Sequence, residues 1–573
     1  MPRSATSSSL RSLGRRDLPA GDGREVRMTT ETMVRRSAPG RHAAPGRRGA
    51  GTPRRYEARR RAKPRSKLRS ATVWSYSLTV GKMAITTGLS LALAAMLGPR
   101  AFGVIAMALV FTNFIEMIQQ QGLMPAIIAR KTLSALHADT AFWLVLGAGT
   151  IGTVLGVVAA PWWAGVNDLP ELAPVIQVLA LSIPLSSSVV VHEAMLRREL
   201  DFRRLALRSW SSVFAGGAAG IIAAVSGWGV WALVTQQLVT TLTTVLVLWR
   251  VSSWRPRPRF SYAAARELWS YSVRSSASSL GLFLGGRLDV VLAGALFGPV
   301  LVGLYRMGQR LATMVVDVTA RSMQAVSLPG LASLQDDQPA FNARLLRMQR
   351  LTAALALPVL GIVAGVAPIV EDLLGPEWAG TTDAIRILAV SQGFSALTLL
   401  LGPALQARGK PGTLAWVLWL WSGLTAAALV AAAALDINGV DRLVVLCWAI
   451  VAASGVAGVT LLATASRTFG IRIVKILSSI LPAVLAGLAA AAVAAGITSS
   501  LATSPLVAGV LAGLLAAMVS LAILALFDPV VRTILTPLLQ VTGLRRIGRR
   551  ASLGHVTKRS RAFEPGPTSI SRD

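Results

Sequence analysis

Trp74-Ser75-Tyr76-Ser77 and, shortly after it, Gly98-Pro99-Arg100-Ala101-Phe102-Gly103 return in the same order as Trp269-Ser270-Tyr271-Ser272 and Gly298-Pro299-Val300-Leu301-Val302-Gly303. One half of the chain is present twice. Working outward from these anchors, runs of about 20 apolar residues, the length that crosses a hydrocarbon core, fall at 72–97, 102–120, 138–160, 172–192, 206–227 and 228–250. The second half gives 269–297, 299–322, 346–368, 381–405, 412–433 and 442–465, and two more runs follow at 473–496 and 504–527. Six runs separate the two Trp-Ser-Tyr-Ser sites, and an even number returns the chain to the same side, so the copies are parallel. The expected fold is an all-α polytopic membrane protein of about fourteen transmembrane helices. Two parallel six-helix lobes surround a central cavity and two C-terminal helices are added. Duplicated bundles of this kind suit alternating access, in which two similar bodies rock about a site at their interface.

Composition agrees. With 53% hydrophobic residues among 573 and a mean hydropathy of +0.57, the chain carries more apolar surface than a soluble core can hide. Cys447 is the single cysteine, and the four histidines lack metal-ligand spacing. No disulfide within the chain, metal or other cofactor is expected. No Walker-type phosphate loop is present, so ATP hydrolysis by this chain is not expected either.

The net charge of +32 is concentrated at the ends: residues 1–69 hold 20 Lys/Arg against 5 Asp/Glu, and residues 532–573 hold 9 against 2. Both ends are rich in Arg, Pro, Gly and Ser without apolar periodicity. They read as disordered basic cytoplasmic segments, an arm at 1–69 and a tail at 531–573, lying beside anionic headgroups rather than nucleic acid. Met28 and Met33 leave a later start open. Arg15-Arg16 and Arg35-Arg36 are not followed closely by an apolar stretch, so no twin-arginine export signal is read. The intervening organisation is a six-helix lobe at 70–250, a cytoplasmic linker at 251–268, a second six-helix lobe at 269–466 and two accessory helices within 467–530.

Loop charges orient the spans. Connections expected on the cytoplasmic side carry twenty Lys/Arg, among them Arg130, Lys131, Arg197, Arg198, Arg255 and Arg257, whereas the opposite connections carry only Arg100 and Arg442 beside several carboxylates. This positive-inside bias places both termini in the cytoplasm. Trp162 and Trp163 on the outer side, and Trp74, Trp249, Trp254 and Trp269 on the inner side, fall at interfacial depth.

Charges inside a membrane are expensive and usually face a cavity or a partner. At about 100° per residue, Arg306, Arg310, Asp317, Arg321 and Gln324 in the eighth expected span share one face. Arg274, Ser278, Gly281, Gly285 and Asp289 do so in the seventh, Ser75, Thr79, Lys82 and Thr86 in the first, and Thr112, Asn113, Glu116 and Gln120 in the second. Matching helices of both halves thus present polar stripes, as a central cavity between lobes requires. Lys82, Arg274, Arg287, Arg306, Arg310 and Arg321 outnumber Glu116, Asp289 and Asp317, so the cavity attracts anions. An arginine fork suits a phosphate by paired, charge-assisted hydrogen bonds. The six cations are the candidate headgroup ligands, and Asp289, Glu116 and Asp317 are candidates for a coupling proton or cation. A structural reading stands beside this one: Asp317 and Arg321, at i and i+4, neutralise each other, and Arg274 and Arg321 snorkel to the cytoplasmic interface. Arg287 lies about 160° from Asp289 on an ideal helix, and His192-Glu193, ending the fourth span, reads as an interfacial polar pair.

Four stretches carry a family resemblance: Leu196-Arg197-Arg198-Glu199-Leu200-Asp201-Phe202-Arg203-Arg204-Leu205; Arg287-Leu288-Asp289 through Gly298, Gly303 and Tyr305 to Arg310-Leu311; Pro329-Gly330-Leu331-Ala332-Ser333-Leu334-Gln335-Asp336-Asp337; and Leu374-Gly375-Pro376-Glu377-Trp378. Together they make residues 70–475 resemble the polysaccharide or oligosaccharide flippases, of the lipopolysaccharide or colanic-acid exporter type, in the multidrug/oligosaccharidyl-lipid/polysaccharide exporter superfamily. The resemblance implies translocation of a polyprenyl-diphosphate-linked oligosaccharide across the bacterial plasma membrane, in a V-shaped cavity between lobes. It also implies membrane lipids, and a polysaccharide polymerase or glycosyltransferases, as partners of a monomer. The long basic arm and the GPxxxG form of the turn depart from the family pattern. A peptidoglycan-precursor flippase and a drug/cation antiporter are alternatives within the superfamily. A membrane glycosyltransferase, polymerase or ligase is the alternative from another class; it is disfavoured by the shortness of every outer loop.

Overall fold

Proline lacks an N–H and pushes the residue before it out of the α region. In both copies of the duplicated turn that preceding residue is a glycine, which tolerates a positive φ. In the computed structural model, which describes residues 65–129, 133–199, 201–435, 437, 439–500 and 504–533, Gly98 sits at φ 70°, ψ 169° and Gly298 at φ 79°, ψ 173°. Each breaks a long helical element into two limbs: α1 (Arg65–Ala129) at Gly98 and α8 (Tyr262–Ala332) at Gly298. Between them run α2 (Ala135–Val166), α3 (Leu172–Ala180), α4 (Ser182–Ser187), α5 (Val190–Arg198), α6 (Phe202–Val225) and α7 (Val230–Val251). After α8 come α9 (Gln338–Gly365), α10 (Ala367–Leu374), α11 (Thr381–Thr398), α12 (Leu401–Ala407), α13 (Pro411–Ala433), α14 (Val440–Phe469), α15 (Ile473–Ser500) and α16 (Pro505–Phe527). No strand occurs among the described residues.

The chain is thus an all-α, multi-pass membrane protein, as expected. Eleven described helices are long and apolar enough to cross a membrane, or twelve if Leu172–Ser187 and Val190–Arg198, bent by 40°, form one span. Two of these helices run across the breaks at Gly98 and Gly298, where two limbs meet without an intervening loop. Gly81–Phe114 thus covers parts of the first two expected spans, one on each side of Gly98, and Arg287–Arg321 covers parts of the seventh and eighth, one on each side of Gly298. The expected basic arm and tail lie outside the described residues except at their inner edges, where residues 65–69 and 531–533 are helical. Along α16 the side chains of Leu506, Val510, Leu514 and Met518 are exposed at helical spacing, a stripe that needs hydrocarbon as its solvent.

The two halves meet through α1 and α8, the most extensive helix contact in the molecule. At the Gly98/Gly298 end the backbones touch. A Cβ added to Gly103 would lie 1.7 Å from the Pro299 carbonyl oxygen, and one added to Gly303 would lie 1.9 Å from the Pro99 oxygen. Equivalent positions of the two copies thus contact each other reciprocally, the mark of a two-fold relation. Trp378, in the turn after α10, seals the same corner. It is 1% exposed, packs edge-on against Phe102 with ring centroids 5.6 Å apart, and donates from Nε1 to the Ala94 carbonyl at 3.0 Å. One apolar cluster spans both halves here, including Leu93, Met107, Ile176, Val302, Tyr305 and Leu446.

Elsewhere α15 packs along α9, where a Cβ on Gly361 would fall 2.1 Å from the Gly487 carbonyl, and α16 lies against α15. The segment between α7 and α8 is extended and fastened to the start of α2. Asp139 Oδ1 accepts from the Arg257 amide at 3.2 Å, Trp143 Nε1 donates to the Arg257 carbonyl at 2.9 Å, and Thr140 Oγ1 accepts from the Ser261 amide at 3.2 Å. Trp254, in the same segment, is buried against Phe142 and His192.

Candidate functional site

Arg306 and Arg310 are one helical turn apart on the second limb of α8, so their guanidinium groups rise on the same side. Arg306 lies within electrostatic reach of Arg310 and of Arg287 on the first limb. Asp289 is close as well, so the 160° separation from Arg287 on an ideal helix does not keep the two in different surroundings. Arg310 reaches across to the first half, donating from Nη2 to the Thr86 carbonyl at 3.2 Å, and beside it Thr87 Oγ1 contacts the Met314 sulfur at 3.1 Å. All three arginines are half-buried, and none is in an ion pair among the described residues. Three guanidinium groups share this place with one carboxylate, Asp289.

That carboxylate is buried and occupied by neutral donors. The Tyr305 hydroxyl donates to Asp289 Oδ2, and Gln309 Nε2 donates to the same oxygen at 2.7 Å and to the Tyr305 hydroxyl at 2.6 Å. The amide oxygen of Gln309 accepts from Arg306 Nη1. Tyr305 is fully buried. Neither Tyr305 nor Gln309 stands out in the sequence as a site residue: one has the look of core, and the other lies about 60° off the charged stripe at 100° per residue. Their signal is the spacing of Tyr305, Arg306 and Gln309 at i, i+1 and i+4, opposite a carboxylate on the preceding limb.

The other candidates are distributed differently. Asp317 is paired with Arg321 one turn on, as the structural reading expects. Arg274 lies on α8, and its side chain is outside those described. Lys82 is exposed and lies near Arg208 and Glu193 rather than the arginines of α8, although its carbonyl, which accepts from Thr86 Oγ1 at 2.6 Å, is only a turn from the oxygen that holds Arg310.

Glu116 does not join the arginines. It lines a cavity of about 150 Å³ inside the first half, together with Ser186, Glu193, Arg208, Thr240 and Thr244. Glu193 bridges Arg197 and Arg208, each at 2.7 Å. Its neighbour His192 turns the other way, fully buried among Phe142, Trp249 and Trp254, so the adjacent pair does not act as one unit. No group of three or more His, Cys, Asp or Glu suited to a metal occurs among the described residues.

A cationic cluster at the seam of a duplicated helical membrane protein is compatible with several transporter families. The sequence from 92 to 383, just over half of the chain, matches the family model described as polysaccharide biosynthesis protein. The chain belongs to this polysaccharide biosynthesis family. The matched region contains both GPxxxG turns and the Arg287–Arg310 cluster. Among relatives, the succinoglycan biosynthesis transport protein ExoT of Rhizobium meliloti strain 1021 is 27% identical over 359 residues, covering 62% of this chain and 72% of its own. The lipopolysaccharide biosynthesis protein WzxC of Escherichia coli K12 is 23% identical over 353 residues, covering 60% and 71%. The fold of this family member is similar to that of the lipid II flippase MurJ in an inward closed conformation, with a TM-score of 0.60 at 11% identity over 81% of this chain and 98% of that one. It is also similar to an inward-facing multidrug resistance transporter of the MATE family in the MOP superfamily, with a TM-score of 0.54 at 16% identity over 70% and 95%.

Proposed function

We propose that this protein is a flippase that moves a polyprenyl-diphosphate-linked oligosaccharide from the inner to the outer leaflet of a bacterial plasma membrane for surface polysaccharide synthesis. The observation that carries the reading is the cluster of Arg287, Arg306 and Arg310 at the meeting of α1 and α8, in no ion pair with a carboxylate among the described residues. A diphosphate supplies the missing anions, and guanidinium forks bind its oxygens in pairs. Lys82 extends the cationic path toward the cytoplasmic side, with Arg274 and Arg321 at its entrance; Asp289, Glu116 and Asp317 are the carboxylates proposed for a coupling ion, which has to displace Arg321 to reach Asp317. The sugars occupy the watery gap and the polyprenyl tail stays in the bilayer. The lobes are residues 70–250 and 269–466, joined by the linker at 251–268 and followed by accessory helices within 467–530, with the basic arm and tail in the cytoplasm.

In this reading the reciprocal Gly-Pro corner is the closed outer side of an alternating-access cycle, and the lobes rock about it. A cationic cluster disfavours a cationic drug as cargo. The protein carries a monomeric transport role rather than an enzymatic one, alongside the glycosyltransferases or polymerase that make and use its substrate. Arg306→Glu combined with Arg310→Glu is expected to abolish surface polysaccharide and trap completed lipid-linked repeat units on the inner leaflet, scored by leaflet-selective labelling. Unimpaired export in this variant overturns the headgroup role. Accumulation of unpolymerised units outside points to an enzyme instead.

A further inference from the structure

We propose that Gln309 is a positioning residue that keeps the charge of Arg306 uncompensated and available by standing between it and Asp289; the inference rests on Arg306 being a headgroup ligand. A carboxylate and a guanidinium brought near each other in a low-dielectric site attract strongly, and a direct pair between Asp289 and Arg306 would cancel one of the three cations. The pair does not form. Asp289 Oδ2 takes its hydrogen bonds from the Tyr305 hydroxyl and from Gln309 Nε2, while Arg306 Nη1 donates to Gln309 Oε1.

The chemistry of an amide explains why glutamine can do this. A carboxylate only accepts and a guanidinium only donates, whereas the amide has a donor end and an acceptor end. Turned this way, Gln309 satisfies both ions without neutralising either. The opposite orientation sets its oxygen against the carboxylate and its NH2 against the guanidinium, so the network fixes the amide. The Tyr305 hydroxyl closes the arrangement, accepting from Gln309 Nε2 while donating to Asp289.

Asp289 also retains the capacity to capture Arg306. Its Oδ1 is buried and has no hydrogen-bond partner among the described residues. Without the amide, Arg306 can close on that oxygen across the vacated place, beside Arg287, which is already within electrostatic reach of Asp289, since an unpaired buried acceptor is costly. Gln309 therefore sets how much positive charge the site presents to a diphosphate.

The test is binding of undecaprenyl diphosphate to the purified full-length protein in detergent, with a set of single and double variants. Arg306→Ala and Gln309→Leu should each weaken binding about tenfold, the order of one charge-assisted hydrogen bond. In the Gln309→Leu background, Asp289→Asn removes the captor and should restore most of the affinity, which a variant that had merely lost its packing would not show. Gln309→Glu, close in shape, pairs with Arg306 itself; it should weaken binding equally and gain nothing from Asp289→Asn. The inference is overturned if Arg306→Ala binds weakly while Gln309→Leu binds like the parent, or if Asp289→Asn fails to rescue a folded Gln309→Leu protein. Parental affinity in Arg306→Ala removes the headgroup reading and this inference with it.

Discussion

Arg310 commits one of its donors to the Thr86 carbonyl, and under the proposed function the rest of its fork meets the diphosphate. Lysine in its place preserves the charge but not the planar, paired geometry. Arg310→Lys should therefore fold normally and bind polyprenyl diphosphate severalfold more weakly than the parent, with Arg310→Ala weaker still. Equal affinity of the lysine and arginine forms would mean that only net charge matters. At this scale the sequence is informative up to the first neighbour. Helical phase groups Arg306 with Arg310, and their surroundings in the structure match. The i, i+4 spacing also gives the pairing of Asp317 with Arg321, but phase cannot show that Glu116 lines a cavity inside the first half rather than the seam. It identifies a side of a helix and leaves the occupant of that side unnamed. Gln309 escapes for a related reason, since a neutral amide beside a row of arginines carries no charge signal.

At the scale of elements, the duplicated GPxxxG turn is plain in the sequence, and its purpose is not. Pro99 and Pro299 explain the breaks, and Gly98 and Gly298 supply the positive φ. The second glycine of each motif has no local reason to be glycine. Gly103 and Gly303 are small because each lies under the proline carbonyl of the other copy, about two hundred positions away in the chain. Gly303→Val cannot keep that approach, so the corner should part. In a background carrying Cys447→Ser and Phe102→Cys, the introduced thiol should label poorly with a membrane-impermeant maleimide applied from outside, and labelling should rise severalfold when Gly303→Val is added. Unchanged labelling would show that the corner closes by other contacts, with Trp378 the first to examine.

At the scale of the molecule, the excess charge and the linker both invite a reading of looseness. Residues 252–261 contain Arg255, Arg257 and Arg259 between prolines, the composition of a solvated tether. Yet their backbone is held by Asp139, Trp143 and Thr140, and Trp254 is buried. Asp139→Ala with Thr140→Ala should release the segment, and trypsin added to inside-out vesicles should cut after Arg259, the one arginine of the segment not followed by proline, severalfold faster than in the parent. Cleavage at the parental rate would show that the aromatic packing of Trp254 suffices.

That fastening leaves the connection between the two halves without slack. As long as the strap stays seated on α2, any swing of one half against the other must be absorbed in the helix beyond Ser261, where α8 runs through a serine- and glycine-rich stretch before Arg287. The covalent joint is then a flexing rod clamped at one end, and the arc through which Arg287 and its neighbours travel is set by where that rod yields.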